Sequence, residues 1–259
     1  MLHLQPHAKV NLGLLIKGKR PDGYHLLETL LVPIPSLTDD LWLTPNDTGS
    51  CQLTLEGISI DGDLEDNLCV KAYRALQAIH PDLPGVDIRL RKGIPAGAGL
   101  GGGSSDAAHV MLGLNELFDL GMSPDDLAPL AGKLGADVPF FLFGKPLLAS
   151  GIGTDFEEVD IQLPFDIQVF PQSLHVSTIS AYKALDYRMF DPDRNLLEIL
   201  QQPIEDWKEL LPNDLEIPVF QLHPSIGNIK QDLYDRGAIY ASMSGSGSAF
   251  FGLFPNHSA

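Results

Sequence analysis

Apolar and polar positions along the chain change their period several times, and each change marks an element. Over residues 8–17 they alternate. Val10, Leu12, Leu14 and Ile16 fall on one face and Lys9, Asn11 and Gly13 on the other, the two-residue period of a β-strand. Arg20-Pro-Asp-Gly23 follows, with proline and glycine where a type I turn favours them, and residues 24–34 resume as a strand, so the chain opens on a hairpin-like pair. Glu65-Asp-Asn-Leu68 leads into a helix predicted to reach about Ile79, with Leu68, Ala72, Leu76 and Ile79 as its apolar side. Val86-Asp-Ile-Arg-Leu-Arg91 alternates again, as a half-buried strand does. The next helix is predicted over residues 106–118 on the stripe Ala107, Val110, Met111, Leu114 and Phe118, with Ser104 or Ser105 available as N-cap. Ser123-Pro-Asp-Asp126 combines an N-cap serine, a first-position proline and first-turn acids, and Gly135 ends the helix it starts.

Past Gly151-Ile-Gly153 the texture changes. A strand is predicted over residues 165–170, followed by proline-punctuated acidic segments, a helix over 226–237, and two strands, 238–243 and 249–254, joined by Ser244-Gly-Ser-Gly-Ser248. A boundary near Glu158 gives two domains, 1–158 and 159–259.

Composition narrows the class of protein. With 259 residues, 44% apolar and 20% charged, the chain is long enough for one large or two ordinary globular domains. A formal charge of -17 and a pI near 4.6 argue against a nucleic-acid partner. A polyphosphate ligand must then be met by backbone dipoles and a few placed cations. Cys51 and Cys69 form no CxxC pair and belong to no Cys/His cluster, which fits a reduced, cytoplasmic setting. No apolar run approaches the roughly 18 residues of a membrane span, and no signal-peptide core is visible, so no membrane partner is expected.

The strongest candidate chemistry lies between the strand at 86–91 and the helix after it. Pro95, Ala96, Gly97, Ala98, Gly99, Leu100, Gly101, Gly102, Gly103, Ser104 and Ser105 form a glycine-rich loop at a helix start. Glycines let backbone approach an anion and take positive φ, and the open N–H groups of a helix start attract negative charge. Gly97-x-Gly99-x-x-Gly102 satisfies the dinucleotide pattern, but that pattern expects an early strand and an acidic residue after a second strand, and this loop lies mid-chain. The Walker pattern fails because Ser104 stands where its lysine would be. A protein-kinase loop would need a following strand with lysine and a later Asp-Phe-Gly triplet, and neither is present. Phosphate binding and a tight structural turn remain the two readings of the loop itself.

Three signatures lie in order: Ala8-Lys-Val-Asn-Leu12, the glycine loop, and Ser244-Gly-Ser-Gly-Ser248. Together they resemble the GHMP small-molecule kinases, named for galactose, homoserine, mevalonate and phosphomevalonate. Arg20-Pro-Asp-Gly-Tyr-His25, Glu65-Asp-Asn-Leu68 and Leu134-Gly-Ala-Asp-Val-Pro139 make the chain similar to the branch whose acceptor is a cytidine diphosphate conjugate of methylerythritol. The motifs run from residue 8 to about 248, almost the whole chain. The resemblance implies an α+β fold of two domains, the first like ribosomal protein S5 domain 2 and the second ferredoxin-like. It also implies a left-handed βαβ crossover, against the general rule. The activity it implies is ATP-dependent phosphorylation of a small-molecule hydroxyl on the way to isoprenoids, with homoserine or mevalonate as alternative acceptors. A monomer or weak homodimer is expected. The family usually continues with another helix and strand where this sequence gives Asn256-His-Ser-Ala259, so a C-terminal sheet of fewer elements is expected.

Residue roles follow from the same resemblance, and each has a plainer alternative. Asp137 matches the catalytic aspartate that takes the hydroxyl proton, although a helix N-cap would explain it equally. Lys9 matches its paired cation, where an ordinary strand lysine would be solvated. Tyr24 and His25 match residues that hold the cytosine, with Tyr182 on the opposite face and core packing as the alternative. Asn11 would orient the substrate, and Asn67 would face the adenine or simply cap its helix. Residues 95–105 would surround the ATP phosphates, while Gly245, Ser246 and Gly247 would close on the substrate diphosphate. Mg2+ is expected, held largely by phosphates and water with Ser105 as the candidate protein contact.

Overall fold

The computed structural model describes residues 1–60 and 62–255, so Asn256-His-Ser-Ala259 lies outside the described residues. In chain order the strands and helices begin with β1 (Leu2–Leu4), β2 (His7–Lys19), β3 (His25–Thr38), β4 (Asp40–Asn46), β5 (Cys51–Gly57), α1 (Leu68–Gln77) and β6 (Gly85–Lys92). They continue through α2 (Gly102–Leu117), α3 (Pro124–Leu134), β7 (Leu147–Ser150), β8 (Asp155–Glu158) and β9 (Phe165–Phe170). The remainder are α4 (Thr178–Lys183), α5 (Leu196–Leu200), α6 (Trp207–Leu210), α7 (Glu216–Leu222), α8 (Gly227–Asp235), β10 (Tyr240–Met243) and β11 (Phe250–Pro255). They sort into two compact units. The first comprises Met1–Lys9, Pro33–Ala96 and Gly101–Lys145, the second Val10–Val32, Gly97–Leu100 and Pro146–Ala259.

In the first unit the sheet order is β1-β4-β6-β5, with β6 antiparallel to β4 and parallel to β5, so β5, α1 and β6 make a βαβ crossover. Strand β6 keeps the alternation of its sequence: Val86, Ile88 and Leu90 are buried while Asp87, Arg89 and Arg91 face out. Helix α2 lies close to this sheet at Gly113, where a Cβ would come within 2.5 Å of Leu43 and 2.7 Å of Leu4. Any larger residue there would push the helix off.

Two helices differ from the pattern read in the sequence. Helix α1 buries Cys69, Val70, Ala72, Tyr73 and Leu76, while Leu68 is half-buried and Ile79, beyond the helix end, is 46% exposed. The buried face is therefore turned about one residue from the predicted one. Helix α2 starts at Gly102, four residues before its predicted start at Asp106, with Gly101 as N-cap at φ 71° and no side-chain cap. Ser104 and Ser105 lie inside the first turn because glycine can cap a helix without a side chain. By contrast α3 starts as predicted: Ser123 Oγ accepts from Asp126 N at 3.2 Å and Asp126 Oδ2 from Ser123 N at 2.9 Å, a capping box.

The second unit carries the sheet β10-β11-β9, antiparallel throughout, with Met243 opposite Phe250 across the turn of residues 244–249. Its core gathers Leu14, Ile16, Val176, Ala181, Leu215, Val219, Ile226, Leu233, Ala241, Met243 and Phe250. The sheet order β2-β3-β7-β8 joins strands from the start and the middle of the sequence, and β2 is buried on both faces from Ala8 to Ile16 rather than on one. Helices α4 to α7 occupy the stretch whose prolines hid any period, each seven residues or shorter. No helix among the described residues is long and apolar enough to cross a membrane.

Candidate active site

Asp137 follows Gly135, the residue that ends α3, and precedes a 3-10 turn over Pro139–Leu142. The residue capping that turn is Val138, not Asp137, so the carboxylate has no capping duty there. It stands 3.5 Å from the ammonium of Lys9, whose side chain is 5% exposed against 39% for Asp137. A lysine this deeply buried is not the solvated strand lysine of the plainer reading. Burial of an ammonium is costly unless a carboxylate or hydrogen-bond acceptors meet it, and here a reachable carboxylate does. Lys9 is sealed by its surroundings: a Cβ at Gly101 would meet Lys9 Cγ at 3.1 Å and the Phe141 ring at 2.8 Å.

The glycine loop is built by close approach of backbone. In the first unit Gly101 needs its positive φ to turn the chain into α2, whose first amides belong to Gly102, Gly103 and Ser104. In the second unit a Cβ at Gly99, at φ 79°, would lie 2.1 Å from the carbonyl oxygen of Ser244. Only glycine fits. Ser244 Oγ donates to Gly99 O at 2.8 Å, and Ala249 N to Ala98 O at 3.0 Å, so loop and turn are stitched together. Pro95 and Ala96 complete the loop's entrance in the first unit, with Leu100 buried in the second. Ser105 is fully buried, its Oγ 3.4 Å from His109 Nδ1.

The turn after β10 has its own anchors. Asn213 Nδ2 donates to Met243 O and Gly245 O, both at 2.8 Å, while Ser246 Oγ is 2.7 Å from Thr178 Oγ1. A hydrogen bond from Gly247 N to Ser244 O at 2.9 Å closes the turn. Asn11, 5% exposed, donates to Thr29 Oγ1 at 3.1 Å, and Thr29 donates to Gly13 O at 2.6 Å.

Tyr24 is 60% exposed at the start of β3. His25 beside it packs its ring against Tyr182, centroids 4.5 Å apart and planes at 35°, and stacks on Tyr187 at 5.9 Å and 4°. Its Nε2 is buried without a hydrogen-bond partner, and burial, with the Lys19 charge adding, lowers its pKa. His25 is thus a neutral ring with an unspent polar atom. Asn67 caps α1, its Oδ1 accepting from Cys69 N at 2.9 Å, which is the plainer of its two readings.

Sequence reasoning missed several of these supports. Tyr187, Asn213 and Thr178 sit among segments with no readable period. Lys92, Asp39 and Asp106 form a buried charged group beneath α2: Lys92 donates to Asp39 and, at 2.6 Å, to Asp106. A signal for that group did exist, since Lys92 occupies the inward parity of β6. Among the described residues no three His, Cys, Asp or Glu side chains gather as a metal cage.

Comparison with known proteins identifies the family and the fold. Residues 67–145 match the GHMP kinases N terminal domain and residues 195–259 the GHMP kinases C terminal domain. A 4-diphosphocytidyl-2-C-methyl-D-erythritol kinase of Bacteroides fragilis is 47% identical over 252 residues, 96% of this chain and 90% of that protein. One of the same name from Chlorobium chlorochromatii is 46% identical over 96% of this chain and 87% of its own. A crystal structure of 4-(cytidine 5'-diphospho)-2C-methyl-D-erythritol kinase superposes with a TM-score of 0.84 at 39% identity, covering 97% of this chain and 90% of that one. A homoserine kinase from Cytophaga hutchinsonii shares the fold at TM-score 0.71 and 18% identity, covering 97% and 85%. By sequence over nearly its whole length and by fold, the chain belongs to the GHMP kinase family, in the branch of the 4-diphosphocytidyl-2-C-methyl-D-erythritol kinases.

Proposed function

We propose that the chain transfers the γ-phosphoryl group of ATP to the 2-hydroxyl of 4-diphosphocytidyl-2-C-methyl-D-erythritol, in the non-mevalonate route to isoprenoid precursors. The observation that carries the chemistry is the buried Lys9 ammonium 3.5 Å from the accessible Asp137 carboxylate. Asp137 accepts the hydroxyl proton as the oxygen attacks the γ-phosphorus. The new O–P bond forms while the bond to the β,γ-bridging oxygen breaks, and ADP leaves with that electron pair. Lys9 steadies the negative charge that develops on the attacking oxygen.

The remaining roles divide between phosphate and base. The backbone of residues 95–105 surrounds the ATP phosphates, with the amides of Gly102, Gly103 and Ser104 open at the start of α2. Asn67 lies toward the adenine. Gly245, Ser246 and Gly247 meet the substrate diphosphate, and Asn11 orients the acceptor. Tyr24, His25 and Tyr182 hold the cytosine, for which the buried Nε2 of His25 is an available partner. Among the described residues there is no dedicated cation cage, so a Mg2+ ion would be held by phosphate oxygens and water, and no step is assigned to it. We take the two domains as 1–158 and 159–259, and the protein as a cytoplasmic monomer or weak homodimer.

The test is an ATP-dependent phosphorylation assay with the diphosphocytidyl substrate, homoserine and mevalonate side by side. Turnover of the first alone is expected, and equal inactivity on all three overturns the reading. Asp137→Asn should lower kcat by orders of magnitude while ATP affinity is kept; near-normal turnover would remove Asp137 from the mechanism.

A further inference from the structure

Within the second unit, the segment between β9 and α4 is strapped to the turn that follows β10. Ser248 Oγ donates to Leu174 O, and Thr178 Oγ1 lies 2.7 Å from Ser246 Oγ. Between these two straps Val176 is 2% exposed and belongs to the unit's core, with Leu174 packed against the same core. Both neighbours turn inward, and His175 between them is exposed.

His175 nevertheless has a fixed seat. Its ring lies against Gly97, where a Cβ would come within 3.0 Å of both Cε1 and Nδ1. Gly97 stands at φ 67°, so its backbone and the ring beside it both require glycine there. The same stretch of loop is tied to the same turn. Ser244 Oγ donates to Gly99 O and Ala249 N to Ala98 O. Residues 97–99, 174–178 and 244–249 are therefore one assembly, and in it an imidazole stands beside the glycine loop.

That assembly is short of side-chain donors. Ala98 and the glycines at 97 and 99 offer none, while Ser244 and Ser248 have already given their hydroxyl protons to backbone carbonyls. Among the described residues neither ring nitrogen of His175 meets a hydrogen-bond partner. One ring nitrogen carries a proton in neutral imidazole and both do in the cation, so the ring can donate in either state. In a chain of 34 acidic and 17 basic residues, a donor placed at an anion-binding loop has a clear use. We propose that His175 is a nucleotide-binding residue whose ring N–H donates to a phosphate oxygen of ATP lying along Gly97–Gly99. This rests on reading those glycines as part of the ATP phosphate site. The plainer role is a wedge that props the loop. A wedge needs the shape of the ring and neither of its nitrogens, so the two roles part on substitution.

The experiment is calorimetric titration of the full chain with ATP at fixed Mg2+ and, separately, with adenosine, for the natural protein, His175→Ala, His175→Phe and His175→Gln. The side chain is exposed, so all three variants should fold with a near-natural Tm. His175→Ala should weaken ATP roughly tenfold, the scale for one hydrogen bond to a charged group at a solvent-open site, and leave adenosine binding unchanged. His175→Phe keeps a ring against Gly97 but loses the donor, and should be as weak as His175→Ala. His175→Gln restores an N–H donor and should recover most of the loss. Natural-like ATP affinity in His175→Ala or His175→Phe overturns the proposal, and so does a His175→Gln variant no tighter than His175→Phe. An equal loss of ATP and adenosine affinity overturns it as well, because the ring would then be serving the base. Gly99→Ala separates the two levels: unchanged ATP affinity refutes the loop reading itself. Weakened affinity there, beside natural-like affinity in His175→Ala, refutes only the role of His175.

Discussion

Asn213 is 2% exposed, and its side chain spends all three of its hydrogen bonds on backbone. Nδ2 donates to Met243 O and Gly245 O, each at 2.8 Å, while Oδ1 accepts from Leu215 N at 3.0 Å. Asn213→Ala strips a partner from three buried backbone groups. At about 1 kcal/mol for each group left to make do with an intruding water, the loss should be about 3 kcal/mol. For a chain of this size that corresponds to a fall in Tm of roughly 6–12 °C. Asn213→Asp keeps the acceptor for Leu215 but aims a carboxylate oxygen at two carbonyls. It must bind a proton to fold, and lifting its pKa from about 4 to above 7 costs about 4 kcal/mol at neutral pH, at about 1.4 kcal/mol per unit. The isosteric variant should therefore be worse than the truncated one at pH 7. Its folded-state pKa being raised, it should regain stability as pH falls toward 5. Urea denaturation read by Trp207 is a suitable assay, since that ring is 4% exposed and packs edge-on against Tyr240 of β10 at 6.1 Å. A Trp42→Phe background leaves Trp207 as the sole tryptophan. A loss under about 1 kcal/mol for Asn213→Ala, or an Asn213→Asp variant no worse than it at pH 7, would refute the idea that unsatisfied backbone sets the cost.

Gly99→Ala must take a left-handed conformation costing about 1–2 kcal/mol and must also displace the Ser244 carbonyl from a 2.1 Å approach. ATP affinity should fall at least tenfold by calorimetry, and unchanged binding would exclude the loop from the site. Tyr24→Ala, at a 60% exposed ring, should raise KM for the cytidine substrate with little change in kcat or in folding stability. An unchanged KM would argue against stacking there. For Asp106 the folded pKa of about 8 lies above an unfolded value near 3.8, so the folded chain holds the extra proton and loses stability as pH rises through that window. Asp106→Asn lacks this loss, so its stability relative to the natural protein should grow from pH 5 to 9, by up to several kcal/mol at about 1.4 per unit. Parallel pH profiles would show that Asp106 is ionised throughout.

The elements legible in the sequence were those whose period ran uninterrupted and whose ends carried their own chemistry. Strand β6 and helix α3 emerged with their boundaries because alternation and a capping box are local. Helix α2 began four residues early because Gly101 caps it through backbone alone, which leaves no side chain to read. Helices α4 to α7 span too few residues for a 3.6-residue period to repeat, and their position depends on packing that no local pattern records. Lys9 and Asp137 could be named only by resemblance. Their spacing in sequence says nothing of the 3.5 Å between them.

The Lys92 group occupies the ground between these cases, and it shows what a parity reading leaves unused. Val86, Ile88 and Leu90 fix which side of β6 faces the core, and the same count puts Lys92 on that side. A lysine at a core position requires a buried acid, and the chain supplies one on the next helix. Asp106 precedes Val110 by four residues and so shares a face with a fully buried side chain. A cation and an anion each placed inward by period, on a strand and the helix that follows it, predict each other. What period cannot supply is the third member, because Asp39 sits at the junction of β3 and β4, 53 residues from Lys92 in the chain. It is that third charge which turns a neutral pair into a group in which one ammonium faces two buried carboxylates.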